Sequence, residues 1–254
     1  MKKLFFGLLA VMLLITMGAN AQVKKPVAKK KTTVTKTKKP APKKTVKKLP
    51  VVPAMAANAT RIKIWTDSGT IIVKLYDSTP LHKENFIKLV KMSFYDSLLF
   101  HRVIPGFMIQ GGDPLSKGTS PGVMLGGGGG DMERIPAEIR KEFIHKKGAL
   151  AAARDGNPAK ASSACQFYLV EGKLLNDGEL DMMEQRSNMK YSPEQRKIYK
   201  TLGGTPFLDQ NYTVFGEVLQ GLEVISKIVN VSRDGRDRPT GDVRMKMEVM
   251  VAEK

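Results

Sequence analysis

Phe100-His101-Arg102-Val103-Ile104-Pro105-Gly106-Phe107-Met108-Ile109-Gln110-Gly111-Gly112-Asp113 places a strand pair and an awkward polar pair within fourteen residues. Short strands are expected near 99–103 and 107–112. Phe100, Val103, Phe107 and Met108 could all be core. Arg102 and Gln110 fit a core badly, because a polar group buried without a partner costs about 1–3 kcal/mol. Two polar side chains set among apolar neighbours on adjacent strands read more simply as the lining of a site.

Upstream, Ile62 and Ile64, then Ile71, Val73 and Leu75, alternate with polar residues on either side of Asp67-Ser68-Gly69, a β-hairpin pattern. Thr79-Pro80 predicts a helix start, with Thr79 as N-cap and Pro80 in the first turn, and Phe86, Leu89, Val90 and Phe94 form its apolar stripe. Downstream, strands are expected near 148–153, 165–170, 213–218 and 243–251, and a helix near 221–229. Many short strands with two helices suggest a mainly β fold, a barrel with helices over its open ends. Residues 174–204 do not belong to such a barrel. They read as two helices inserted between strands, the second opened by Ser192-Pro193-Glu194-Gln195, a capping box, and ended by Gly203-Gly204.

Charge divides the chain. Of 42 lysines and arginines, fourteen precede Arg61, whereas all 24 acids follow it, so residues 61–254 carry only about +4 of the formal +18. Lys2 and Lys3, the apolar run Leu4–Met17 and Ala19-Asn20-Ala21 predict a signal peptide over residues 1–21, with the mature chain starting at Gln22. No transmembrane segment is expected after cleavage. Export follows, most simply to a periplasm. Residues 22–60 are rich in Lys and Pro, cannot bury a core, and read as a disordered tail spanning about 35 Å. An anionic envelope surface is a possible partner for it, and a plain solvated spacer is the other reading; export argues against nucleic acid. With one cysteine, Cys165, no intramolecular disulfide can form.

Other motifs lose their chemistry in context. Gly118-Thr119-Ser120-Pro121-Gly122 has the spacing of a nucleophile elbow, but a proline and the run Gly126–Gly130 follow, where a helix would have to begin. The five glycines lack the Lys-Ser/Thr of a phosphate loop and are expected to form a flexible loop. His82, His101 and His145 show no metal-ligand spacing, and no metal or cofactor is expected.

The run Phe100–Asp113 resembles the cyclophilins. So do Glu84-Asn85-Phe86, Gly148–Ala153, Gln166-Phe167-Tyr168, Leu208-Asp209 and Val214-Phe215-Gly216. The resemblance spans 61–254 apart from the insertion. It implies a closed eight-stranded antiparallel barrel capped by two helices, and peptidyl-prolyl cis–trans isomerase activity on proline-containing polypeptides. It also implies catalytic roles for Arg102 and Gln110, with Gln110 orienting both substrate and Arg102. Substrate-binding positions would be His101, Phe107, Met108, Ala153, Arg154, Gln166, Tyr168, Phe207, Leu208 and Tyr212. Several differ from the family's common residues: Phe207 for tryptophan, Tyr212 for histidine, Arg154 for asparagine and Tyr168 for phenylalanine. Ala153 and Arg154 would act through their backbone, and Cys165 through packing. A module that binds proline segments, or a chaperone with little turnover, is the alternative function.

Overall fold

The computed structural model describes residues 60–187 and 189–250. The signal peptide and, except for Thr60, the tail lie outside these residues. Eight antiparallel strands form one curled sheet: β1 (Arg61–Thr66), β2 (Gly69–Leu75), β3 (Phe100–Ile104), β4 (Met108–Gly111), β5 (Ala149–Ala152), β6 (Phe167–Val170), β7 (Val214–Gln220) and β8 (Met245–Met250). Four helices accompany them: α1 (Pro80–Lys91), α2 (Asp177–Ser187), α3 (Pro193–Thr201) and α4 (Leu222–Val229). The first and last pack on the sheet, α1 against β8 and α4 against β2, β3 and β4, and the middle two are the expected insertion.

The strand order is β3-β4-β6-β5-β7-β2-β1-β8, so the expected closed barrel is instead an open ladder ending in β3 and β8. A single antiparallel bridge, Leu99 to Arg244, spans the seam. Three backbone bonds flank it: Ser97 N–H to Met245 O, Phe100 N–H to Val243 O, and Met245 N–H to Leu98 O. The ladder stops because the chain enters both end strands at this seam, and neither runs alongside the other for a full turn of pairing.

Side chains alternate across a strand, so one sheet builds two cores. Ile109, Leu150, Phe167, Leu169 and Phe215 point inward with Ile62, Ile64, Ile71 and Val73, against Phe86, Leu89, Ile225 and Ile228 of α1 and α4. Their immediate neighbours Met108, Ala149, Ala151, Tyr168, Val170 and Val214 point outward into a second apolar cluster with Leu208. β3 breaks the alternation. Phe100 and Val103 are both in the inner core although three residues apart. The register with β4 jumps from Phe100–Gly111 to Arg102–Gln110, leaving His101 as the extra residue of a β-bulge.

The N-terminus of α1 departs from the sequence reading. Thr79 occupies the cap position, but its side chain caps nothing and instead donates to Tyr76 O at 3.3 Å. Glu138 caps the helix from a distant loop, accepting from Leu81 N at 3.1 Å and His82 N at 3.0 Å. The same carboxylate takes His82 Nδ1 at 2.7 Å, and His82 Nε2 meets Ser162 Oγ at 2.9 Å. Burial holds the His82 pKa below its ordinary value despite Glu138.

In the insertion, Ser192 and Gln195 form the expected capping box. Leu175, Leu180, Met189, Tyr191 and Tyr199 bury against Ile144 as a small third core. Its two ends meet at a neck where Lys173 and Gly204 exchange backbone hydrogen bonds of 3.3 and 3.0 Å. Gly172, at φ +63°, lies so close to the Gly204 backbone that a Cβ would not fit. Lys146 also bridges to Gly204, anchoring the neck to the segment that leads into β5.

Candidate active site

Register aligns the outward residues of four adjacent strands in a row. Arg102 sits opposite Gln110, Gln110 opposite Tyr168, and Tyr168 opposite Ala151. The bulge at His101 sets this row, because without it His101 rather than Arg102 would face Gln110. Val214 completes the row on β7.

A pocket of about 120 Å³ opens above the row. Arg102, Phe107, Met108, Gln110, Ala153, Arg154, Tyr168, Leu208 and Tyr212 line it. Phe107 comes from the β3–β4 turn, Ala153 and Arg154 from the end of β5. Leu208 ends a 3-10 turn, Pro206–Leu208, and Tyr212 precedes β7. A cup of mixed polarity, with apolar and aromatic side chains, two guanidinium groups (Arg102 and Arg154) and the Gln110 amide, suits a small saturated ring attached to an amide.

Three residues named from sequence lie elsewhere. Phe207 is on the rim, 55% exposed, its ring 5.5 Å from that of Phe107. His101 is buried at the edge of a separate groove that Arg102 and Arg238 also line, and neither ring nitrogen has a partner among the described residues. Burial first, and then the charges of Arg102 and Arg238, lower its pKa to about 4, against an upward pull from Asp113. Gln166 lines the neighbouring groove of about 330 Å³, formed with Gly126–Gly130, Arg134 and Asp155.

Gln110 does not orient Arg102 by a hydrogen bond. Its Nε2 donates to Gln166 Oε1 at 3.0 Å, and Gln166 Nε2 donates to the carbonyls of Gly126 and Gly128, both at 2.9 Å. Arg102 is thus left to face the pocket, while the glutamines tie β4, β6 and the glycine run together. The run is therefore pinned rather than free. Asp113 accepts from Gly126 N–H, and Gly129, at φ +80°, lies too close to the Cys165 thiol to carry a Cβ. Cys165 packs in the core, and burial raises its thiol pKa.

Arg154 is fixed by its side chain. Its Nε donates to Asn211 O at 2.8 Å, and its guanidinium carbon lies 4.7 Å from the Tyr212 ring centre, a cation–π contact that holds the far wall. Tyr212 packs edge-on to Tyr168, centroids 6.0 Å apart at 84°. Sequence reading did not find His145 and Asp209, which support Tyr168 from below. His145 Nε2 is 3.0 Å from the Tyr168 hydroxyl and its Nδ1 is 2.7 Å from Asp209 Oδ1. Asp209 lies within the matched motif Leu208-Asp209, but nothing in the local pattern gives it a partner 64 residues away.

Comparison with known proteins agrees with this geometry. Residues 61–249 match the family described as "Cyclophilin type peptidyl-prolyl cis-trans isomerase/CLD". A protein of Staphylococcus haemolyticus named "Putative peptidyl-prolyl cis-trans isomerase" is 34% identical over 187 residues, covering 73% of this chain and 88% of its own. One of the same name from Staphylococcus aureus is 33% identical over 184 residues, 72% of this chain and 87% of its own. The crystal structure of a Cryptosporidium parvum cyclophilin-type isomerase superposes with a TM-score of 0.54 at 23% identity, covering 76% of this chain and 98% of that one. A second crystal structure of that protein, obtained in the presence of the dipeptide Ala-Pro, has the same TM-score at 22% identity. The chain belongs to the cyclophilin-type peptidyl-prolyl cis–trans isomerase family.

Proposed function

We propose that the protein isomerises bonds preceding proline in exported polypeptides, with no covalent intermediate, and that Arg102 stabilises the twisted amide. The barrier to an X–Pro bond is lost amide resonance, about 18–20 kcal/mol, and the uncatalysed event takes tens to hundreds of seconds. On twisting, the proline nitrogen regains its lone pair. A donor aimed at that nitrogen binds the twisted state more strongly than either planar one, which is how binding becomes catalysis. A guanidinium supplies such donors in a fixed fork. Shortening a ~100 s event to ~1 ms requires about 7 kcal/mol, within reach of one charged hydrogen bond in a dry pocket together with positioning of the ring.

The observation that carries the reading is that Arg102 lines the same small pocket as Met108, Tyr168 and Leu208. Met108 and Tyr168 would receive the proline ring, and Gln110, held by Gln166, would meet the substrate carbonyl. The pocket lining includes no serine, cysteine, threonine or histidine, the usual nucleophiles and bases of acyl transfer. Support for an exported substrate pool is the Lys2–Ala21 signal pattern, and the basic tail suits attachment to an anionic envelope surface. The test is a protease-coupled isomerisation assay on a proline tetrapeptide. Catalysis by the wild-type chain, largely lost in Arg102→Ala, is the expected result; equal rates would remove Arg102 from the mechanism. A chain that binds proline peptides with no turnover would be the binding module instead.

A further inference from the structure

We propose that His145 and Asp209 are positioning residues for the isomerase pocket, and that Tyr191 and Tyr199 make the inserted helix pair part of its support. The inference deepens the isomerase reading and rests on it. Tyr168 places a phenol where an apolar floor is wanted, and a hydroxyl left unpaired there would oppose burial of a proline ring. His145 removes the conflict. Its Nε2 lies 3.0 Å from the Tyr168 hydroxyl, with the two rings nearly parallel at 13°.

The direction of the hydrogen bonds follows from Asp209. Its Oδ1 receives the His145 backbone N–H at 2.8 Å and Nδ1 at 2.7 Å. Its Oδ2 receives the Tyr191 hydroxyl at 2.9 Å and the Tyr199 hydroxyl at 2.5 Å. Four donors converge on one carboxyl group, which therefore acts as acceptor only. The tautomer that donates from Nδ1 to Asp209 leaves Nε2 to accept from Tyr168. The Tyr168 hydroxyl hydrogen is thus turned away from the pocket, and the floor presents its ring. All five side chains are buried, so water does not compete for these bonds.

The two tyrosines belong to the insertion. Tyr199 is on α3, and Tyr191 stands just before it. Both also pack in the insertion's core with Ile144, the neighbour of His145. The core of the inserted pair and the support of His145 therefore share residues. The insertion reaches the pocket from beneath, through Asp209, without lining it.

The experiment measures kcat and KM on a proline tetrapeptide with the whole chain. His145→Leu is made both in the wild type and in a Tyr168→Phe background, and Tyr191→Phe/Tyr199→Phe is treated the same way. Thermal unfolding selects folded variants, and the tyrosine pair, which keeps every ring, serves if His145→Leu does not fold. His145→Leu is expected to lower kcat/KM roughly tenfold in the wild type. In the Tyr168→Phe background it should change kcat/KM by less than about twofold, because the hydroxyl it served is gone. Tyr191→Phe/Tyr199→Phe should follow the same pattern with a smaller loss. Equal losses in both backgrounds, or no loss in a folded variant, overturn the proposal. If the wild type shows no turnover, the isomerase reading fails separately, and NMR signals of the Tyr168 ring decide the relay: they shift in Tyr191→Phe/Tyr199→Phe if it is continuous and stay put if it is not.

Discussion

The pocket's near wall is one short piece of chain, Phe100 to Gly111, whereas its far wall is assembled from Ala153, Arg154, Tyr168, Leu208 and Tyr212, backed by an insertion that does not line the pocket. The near wall is held by backbone pairing between adjacent strands and by one side-chain tie, Gln110 to Gln166. The far wall is held by side chains meeting over long sequence separations: His145 with Tyr168, Asp209 with His145, and two tyrosines with Asp209. The contrast separates two jobs. The proposed chemistry sits where strand pairing and one glutamine tie fix the geometry, and shape sits where several independent segments must agree.

The sharpest way to break this division is Arg102→Ala. It should lower kcat about 10²–10³-fold with the fold unchanged by circular dichroism, as expected for loss of a donor made for the transition state. Asp209→Ala should do the reverse, lowering unfolding free energy by about 3 kcal/mol in a urea titration through its effect on the far wall, because three hydroxyl or imidazole donors lose their acceptor. If Asp209→Ala proved as stable as the wild type, the far wall would not depend on this junction.

Acid should act on the near wall. The unfolded His101 takes up a proton near pH 6.5, whereas the folded one resists until about pH 4. The stability it contributes is complete above pH 6.5 and is lost as pH falls toward 4, a difference on the order of 3 kcal/mol. His82, also held below its ordinary value by burial, adds loss of the same sign. Denaturant midpoints at pH 7 and 4.5 should therefore lie closer together in His101→Gln than in the wild type. Gln166→Ala should reduce kcat/KM about tenfold by freeing Gln110 and loosening the glycine run, with most of the loss in kcat. The smallest effect is expected from Glu138→Ala, which removes the borrowed cap of α1: about 1 kcal/mol in stability and no change in turnover.

The near wall and most strands could be read in the sequence because their signals are local: alternation in β1 and β2 about Asp67-Ser68-Gly69, the polar pair Arg102 and Gln110 among apolar neighbours, and the capping box at Ser192. The errors share one physical origin, partners that the fold supplies from afar. Thr79 looked like a cap, but Glu138, beyond the reach of any local pattern, satisfied the N–H groups first. Gly126–Gly130 looked flexible because glycine frees the backbone, yet here it admits close approach to Cys165, and Asp113 and Gln166 remove that freedom. The bulge at His101 was hidden because an extra residue leaves the apolar pattern intact and changes only which side chain faces Gln110. Closure of the barrel failed for the same reason, since pairing of β3 with β8 depends on how two chain entries meet at a seam.

The neck at Gly172 and Gly204 gives the fold a growth point. Its ends are already fastened by backbone bonds, so lengthening the chain beyond it adds only loop-closure entropy, about 0.6 kcal/mol for each doubling. A hairpin of different length or sequence could be spliced there without disturbing any strand. What it could not omit is a pair of hydroxyls, or equivalent donors, delivered to Asp209. The neck is generous about length and the junction strict about chemistry, so new recognition surfaces could be grafted beside this pocket while its floor stays as it is.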